Sequence, residues 1–188
     1  VKLLITDKTC ISPMDYASPG VYLLQKEVNE NEARIDVKTL ISNIGDKASL
    51  EVRITLTDRD SVMIQQMSQK IELVDEETEN IQELIIEKPY LWNGKKDPYL
   101  YGVHVEILSG NRVIDEVKQP LGLRYFHIDA NEGFFLNGKH LFLNGVSRHQ
   151  DRINMGSAIT DKEHREDMDI MLDMGISALR LAHYQHAE

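Results

Sequence analysis

The chain has 188 residues, of which 41% are hydrophobic and 28% charged, and its formal net charge is −10. This composition is typical of a folded globular protein, and the acidic excess argues against binding to nucleic acid or to an anionic membrane surface. No apolar run approaches the roughly 20 residues that a membrane-spanning helix needs.

The cysteine content and the first residues of the chain bear on covalent stabilisation and on processing. Cys10 is the only cysteine, so an intrachain disulfide is excluded and stability must come from packing. The chain begins at Val1 with neither an initiator methionine nor a signal sequence, which indicates a processed or excised piece. We expect a soluble protein, and the compartment stays open between cytoplasm, periplasm and exterior.

Residues 1–123 have the pattern of antiparallel β structure. In the segment EARIDVKTLI, Ile35, Val37 and Ile41 alternate with polar residues, and the segments SLEVRITLT and YGVHVEIL alternate in the same way. Turn-forming residues separate these runs at 43–47, 57–60, 93–98 and 109–111. About seven short strands without a helical pattern predict an immunoglobulin-like β-sandwich. The acidic run 72–87 has seven acids and no base, and we interpret it as a solvated edge or loop.

Residues 124–188 change to an α/β pattern. Asn137-Gly138 lies between two β-like runs and predicts a hairpin turn. The following helix should begin at Thr160, which forms a capping box with Glu163, and should end at Gly175. The apolar segment ISALRLAHY comes next, so strand, helix and strand form a βαβ unit with parallel strands.

The fold class predicted from these patterns is mainly β. It consists of the sandwich at 1–123 followed by a truncated first βαβ unit of a (β/α)8 barrel at 124–188. A complete barrel takes about 250 residues, so we expect a truncated domain with uncovered apolar residues. Self-association is expected through a surface formed by Leu141, Leu143, Met171, Leu172 and Leu179.

Polar clusters follow both strands of the βαβ unit. Arg148, His149 and Asp151 follow the first strand, and Arg180, His183 and Tyr184 lie within or after the second. Neighbouring parallel strands lie about 4.8 Å apart, so His149 and His183 are predicted to face one small ligand. Imidazole, guanidinium and carboxylate groups together suit a hydroxyl-rich or anionic ligand.

Two other interpretations of these clusters remain open. A histidine at a strand end is often an ordinary surface or capping residue. A metal site is a further alternative, but the nearby guanidinium groups disfavour a cation, and the spacing matches no compact zinc motif. Its candidate ligands are His149, Asp151, His183 and His186.

Several segments resemble glycoside hydrolase family 2, and specifically its β-galactosidases. The segment GFFLNGKHLFLNGVSRHQDR, with DMDIMLDMGISALRLAHYQHAE after it, is similar to the start of the family's catalytic barrel. Upstream, KPYLWNGKKDPYLYGVHVEIL resembles a late segment of its immunoglobulin-like domain, and GLRYFHID resembles the connection into the barrel. Ser147 and Gln185 depart from the pattern, since many members have Asn and Pro there.

The resemblance implies a multidomain retaining glycosidase that hydrolyses terminal β-galactosides or related glycans. It implies that His149 and His183 bind sugar hydroxyls, that Arg180 lies near the catalytic nucleophile, and that Asp151 lies next to the pocket. A retaining enzyme needs two carboxylates about 5 Å apart. The family supplies them as glutamates from later barrel strands, so this chain has no catalytic residue and alone should be inactive.

The resemblance also bears on cofactors and on the alternative function. It implies no cofactor in this segment and allows a divalent cation such as Mg²⁺ in the longer enzyme. The alternative is a non-catalytic β-sandwich that binds carbohydrate or serves in adhesion. Its motivation is that about two thirds of the chain has the sandwich pattern.

Overall fold

The computed structural model describes residues 3–46 and 48–182, apart from the side chain of Ala48. The chain divides into two compact units. The first comprises Val1–Asn93 with Asp97–Tyr125, and the second comprises Gly94–Lys96 with Phe126–Glu188. No helix among the described residues is long and apolar enough to cross a membrane.

The first unit contains eight strands in two antiparallel sheets. In chain order the strands are β1 (Thr9–Ile11), β2 (Val21–Val28), β3 (Glu32–Asn43), β4 (Ala48–Thr57), β5 (Met63–Leu73), β6 (Glu77–Glu87), β7 (Tyr101–Ser109) and β8 (Arg112–Leu121). In one sheet β3 pairs with β1 and β2, and also with β6. The other sheet has the order β5-β4-β7-β8.

The period of two in the sequence produces the core between these sheets. Side chains alternate across a strand, and Ile35, Val37 and Ile41 of β3 are buried as predicted. Val52 and Ile54 of β4 are buried from the other sheet and belong to the same apolar cluster. Burying each such side chain contributes about 1.5–3 kcal/mol. The predicted β-sandwich is confirmed, because two antiparallel sheets share this apolar core.

The acidic run forms the end of β5, a turn and the strand β6. Alternate residues of β6 face the core, while its acidic side chains are exposed on the opposite face. On the inner face, the Gln82 Nε2 donates to the Val52 carbonyl at 3.1 Å and to the Asn80 Oδ1 at 2.9 Å. The segment predicted as a solvated edge or loop is therefore mostly a strand, with one solvent-exposed face and one buried face.

In the second unit, the residues up to 182 form two small sheets and one helix. Its elements are β9 (Phe126–Asp129), β10 (Gly133–Leu136), β11 (Lys139–His140), β12 (Gly145–Arg148), α1 (Asp161–Asp173) and β13 (Ala178–Leu181). One antiparallel sheet has the order β11-β10-β9, and β12 pairs with β13 in parallel. The hairpin turn is confirmed, because Asn137 and Gly138 both have positive φ, as a two-residue turn of this kind requires.

The apolar run LFLNGV is predicted to form the first strand of the βαβ unit, but only its last two residues belong to β12, which begins at Gly145, where the register with Ala178 starts. The Leu141 backbone N–H donates to the Phe134 carbonyl at 2.8 Å, which extends the contact with β10 instead. Residues 141–144 therefore connect the two small sheets.

The helix has the predicted ends. Thr160 is its N-cap and forms a complete capping box with Glu163. Gly175 follows the C-cap Met174 with φ of 78°, a conformation that favours glycine. The predicted strand–helix–strand unit with parallel strands is confirmed. None of the described α1 residues is buried, so the helix contributes no side chain to a closed core.

Candidate functional site

The pairing of β12 with β13 defines two faces at their carboxyl ends. Ser147 lies opposite Arg180, and Arg148 lies opposite Leu181. Paired residues of parallel strands share a face and successive residues alternate. Ser147 and Arg180 therefore lie on one face, and both side chains are exposed.

Arg148 lies on the other face and contacts the helix. Its side chain is only 8% exposed. Its Nε donates to the Asp167 Oδ2 at 2.8 Å, and its Nη2 contacts the same oxygen at 2.5 Å. The Nη2 also lies 3.0 Å from the His164 Nδ1. Grouping Arg148 with the ligand-facing residues was therefore wrong, because it points towards α1.

Arg152 is a second helix-bound arginine, which the sequence analysis missed. Its Nη2 donates to the Asp167 Oδ1 at 2.6 Å and to the Glu163 carbonyl at 3.0 Å. Its Nη1 donates to the Glu166 Oε2 at 2.5 Å. The sequence contained a signal for this contact. The acidic residues 163, 166 and 167 lie on one face of the predicted helix, and arginines at 148 and 152 precede that helix and could pair with them.

These contacts set the charge states of the network. The hydrogen bond from Arg152 is the largest cause that holds the pKa of Asp167 below its ordinary value. Burial acts in the opposite direction, and the hydrogen bond from Arg148 lowers the pKa further. The pKa of Arg152 is raised, chiefly by its hydrogen bonds to Asp167 and Glu166. Arg152 and the Asp167 carboxylate therefore form a charged pair in the folded chain at neutral pH.

The predicted ligand-binding residues occupy the following places. His149 and Asp151 are exposed in the segment directly after β12, and Arg180 is exposed within β13. His183 lies outside the described residues, as do Tyr184 and His186. The structure therefore brings Arg180 beside Ser147, and the meeting of His149 with His183 stays a prediction.

A metal site finds little support among the described residues. Within residues 3–46 and 48–182, one group of three potential ligands lies close together: His104, Glu106 and Glu116 in the first unit. Arg53 donates to both oxygens of Glu106, at 2.8 and 2.9 Å. The His104 Nε2 lies 2.7 Å from the Glu116 Oε2. This set does not fit a divalent cation, because a guanidinium already occupies its most buried carboxylate.

Comparison with known proteins covers both units. Glycosyl hydrolases family 2 matches residues 21–124, and the TIM barrel domain of glycosyl hydrolases family 2 matches residues 128–188. A β-glucuronidase of Bacteroides fragilis is 48% identical over 190 residues, which cover 100% of this chain and 27% of that protein. A β-galactosidase of Bacteroides ovatus is 27% identical over 91% of this chain and 20% of its own length.

Solved structures agree with these matches. A Bacteroides fragilis protein provisionally named a β-galactosidase has a TM-score of 0.94 and 37% identity, over 97% of this chain and 28% of that one. Bacteroides uniformis β-glucuronidase 2, covalently bound to cyclophellitol-6-carboxylate aziridine, has a TM-score of 0.92 and 30% identity, over 97% of this chain and 22% of that one.

The chain thus spans about a quarter of the length of the relatives it matches, with shares of 20% to 28%. The matched part runs without interruption from the sandwich into the strand–helix–strand unit. The chain belongs to glycosyl hydrolases family 2 and carries that family's β-sandwich followed by the start of its TIM barrel.

Proposed function

We propose that this chain is part of a retaining β-glycosidase and forms one side of its sugar-binding pocket. The observation that carries the proposal is the exposed Ser147–Arg180 pair on neighbouring parallel strands. In (β/α) barrels the active site is built at the carboxyl ends of the strands. His149 and Asp151 follow one of these strands directly, and His183 follows the other.

Each of these side chains has a role in the proposal. His149 and His183 bind sugar hydroxyls, and Asp151 borders the pocket. Arg180 lies near the nucleophilic carboxylate and favours its ionised form by charge pairing. The two carboxylates that a retaining mechanism requires, about 5 Å apart, come from parts of the enzyme outside these 188 residues.

We propose a β-glucuronide as the substrate, ahead of the β-galactoside that the resemblance implied. The support is that the relative with 48% identity is named a β-glucuronidase. The Bacteroides fragilis and Bacteroides ovatus proteins that are named β-galactosidases share 37% and 27% identity with this chain. The two sugars differ at C6, where a glucuronide has a carboxylate and a galactoside a hydroxymethyl group, and in the configuration of the C4 hydroxyl, so their recognition requires different partners in the pocket.

The test is to assay the complete protein that contains this chain on the nitrophenyl β-glucuronide and β-galactoside. We expect the glucuronide to have the higher kcat/KM by at least about 100-fold, because a site built for a carboxylate loses that contact with a neutral sugar. A higher kcat/KM for the β-galactoside would contradict the proposed glucuronide and favour the galactoside as the substrate. Hydrolysis of neither substrate, nor of other β-glycosides, would overturn the glycosidase proposal.

The contribution of Arg180 can be tested in the same protein. Arg180→Gln should lower kcat/KM by about 100-fold or more, because it removes a charge at the site where charge develops during reaction. Arg124→Gln, in the first unit, is a matched control that should leave kcat/KM within about twofold. Equal effects of the two substitutions on kcat/KM would contradict the proposed place of Arg180 in the pocket.

The 188-residue chain by itself should be inactive. It lacks the pair of carboxylates that the proposed mechanism needs, so no nitrophenyl glycoside should be hydrolysed above the buffer rate. Turnover by the purified chain that is lost on Arg180→Gln would show that the chain holds its own catalytic pair, and this part of the proposal would then be wrong.

A second candidate function is glycan binding by the sandwich itself. A cavity of about 610 Å³ in the first unit is lined by apolar residues such as Leu100 and Val103 together with polar ones that include Thr55, Arg59, His104 and Lys118. Such groups can meet sugar hydroxyls. Titration of the chain with β-linked oligosaccharides, in the wild type and in His104→Ala, tests this candidate. Saturable binding lost in His104→Ala supports it, and unchanged binding locates the glycan elsewhere.

A further inference from the structure

One carboxylate of α1 joins two arginines that are four residues apart in the chain. The Asp167 Oδ2 accepts from Arg148, the last residue of β12, at 2.5 and 2.8 Å. The Asp167 Oδ1 accepts from Arg152 at 2.6 Å. Each oxygen therefore binds a different arginine, and hydrogen bonds of this charge-assisted kind are stronger than neutral ones.

The two arginines enclose the segment that carries the predicted ligands. Arg148 precedes His149 directly, and Arg152 follows Asp151 directly. Arg152 also begins a tight turn, in which its backbone N–H donates to the Gly156 carbonyl at 3.0 Å and its carbonyl accepts from the Gly156 N–H at 2.9 Å. Both ends of residues 149–151 are thus attached to well-defined structure.

The arginines bind the helix on one side of the segment and leave its other side chains accessible to a ligand. Arg148 is buried against the helix, whereas His149 and Asp151 are exposed. The helix therefore holds the arginines on one side while the residues between them stay accessible. Loss of the carboxylate would weaken both attachments at once, because Asp167 contacts both arginines, whereas Glu166 contacts Arg152 and His164 contacts Arg148.

We propose that Asp167 is a positioning residue, which fixes the 148–152 segment from the helix so that His149 and Asp151 are held at the sugar-binding pocket. This inference rests on the proposed function for its effect on catalysis. The attachment itself is a property of the chain and can be measured without any substrate.

The first experiment concerns the attachment. In the 188-residue chain, Asp167→Asn should raise the hydrogen-exchange rates of the Arg152 and Gly156 amides by about tenfold or more, since the turn loses its charged anchor. The control is Asp169→Asn, which removes the same charge from an exposed position of the same helix and should leave both rates unchanged. Equal rates in the two variants would overturn the proposal.

The second experiment concerns coupling to the ligand-binding residue, in the complete protein. Asp167→Asn should lower kcat/KM by about 10- to 100-fold through misplacement of His149. In a His149→Ala background the same substitution should have less than about a threefold effect, because the group that it positions is absent. Equal fold-losses in both backgrounds would show a general structural role and overturn the proposal.

Two further outcomes are distinguishable. If Asp167→Asn fails to fold, Arg152→Gln releases only one end of the segment and should show the same loss of coupling in smaller amount. If the complete wild-type protein hydrolyses no glycoside, the proposed function fails, and the hydrogen-exchange result still decides whether Asp167 holds the segment.

Discussion

Glu106 and Arg53 form a bidentate ion pair between neighbouring strands on the outer face of a sheet. The Arg53 Nε and Nη2 donate to the two Glu106 oxygens at 2.8 and 2.9 Å, and Glu106 is only 8% exposed. The hydrogen bonds from Arg53 hold the pKa of Glu106 below its ordinary value, with His104 adding a smaller effect. The carboxylate is therefore ionised and well satisfied in the folded state.

We expect Glu106→Gln to lower the free energy of unfolding by about 2 kcal/mol, because an amide nitrogen would then face the guanidinium donors. Glu79→Gln is the matched control. Glu79 pairs with Lys38 at an exposed position, so its substitution should cost less than about 0.5 kcal/mol. Urea unfolding of the two variants gives the comparison, and equal costs would contradict the assignment.

The same residue predicts a pH dependence. Since the folded pKa of Glu106 is lowered, the unfolded chain binds the proton first as the pH falls. The stabilisation is complete above the ordinary glutamate pKa, about 4.3, and is lost as the pH falls through the folded pKa. The stability difference between wild type and Glu106→Gln should therefore shrink below about pH 4. A difference that is constant from pH 7 to pH 3 would contradict this cause.

Neighbouring residues show where sequence reasoning succeeded and failed at this scale. The sequence placed Arg148 and His149 in one cluster, although adjacent residues of a strand point to opposite faces. The contact of the buried Arg148 with Asp167 confirms that Arg148 faces the helix. The pairing of Ser147 with Arg180 depends on the register between β12 and β13, which no local pattern specifies.

At the scale of the elements, local signals predicted what depends on local interactions. The capping box at Thr160 and the turn at Asn137-Gly138 are confirmed because both are set by residues within a few positions. The predicted start of β12 was wrong, since an apolar run alone does not specify which neighbouring strand it pairs with. Strand β9 was missed although Phe126 and Ile128 alternate with polar residues, because four residues are too short a run to distinguish a strand from a connection, and all four are exposed.

The N-terminus of α1 provides a prediction for an element. The Lys162 backbone N–H donates to the Thr160 Oγ1 at 3.3 Å, and the Thr160 backbone N–H donates to the Glu163 Oε2 at 2.7 Å. Thr160→Ala should cost the helix about 1 kcal/mol, and Thr160→Ser should restore most of it. Hydrogen exchange of the α1 amides measures the change, and equal exchange in the two variants would show that the cap contributes nothing.

At the scale of the whole molecule, apolar side chains on the second unit are exposed. Of the residues expected to be uncovered, Leu143 and Leu172 are exposed, whereas Leu141, Met171 and Leu179 are half-buried. Large exposed apolar patches favour association. This surface is the basis for expecting the 188-residue chain to self-associate.

Sedimentation tests that expectation. The chain should show a concentration-dependent increase in mass, and Leu172→Glu should reduce it by placing a charge in the apolar surface. Leu24→Glu is the control, because Leu24 is exposed to a similar extent, 45% against 49%, but belongs to the first unit. A monomer at every concentration, or equal effects of the two substitutions, would contradict association through this surface.

The contact between β1 and β8 has a consequence for synthesis of the chain on the ribosome. The Ile11 backbone N–H donates to the Asp115 Oδ2 at 2.8 Å across 104 residues of sequence. At translation rates of about 5–20 residues per second, the first strand waits roughly 5–20 s for this acceptor. Strand β1 is therefore among the last strands of the first unit to gain its full set of contacts, and we expect nascent chains that end before β8 to be cleaved readily by proteases near β1.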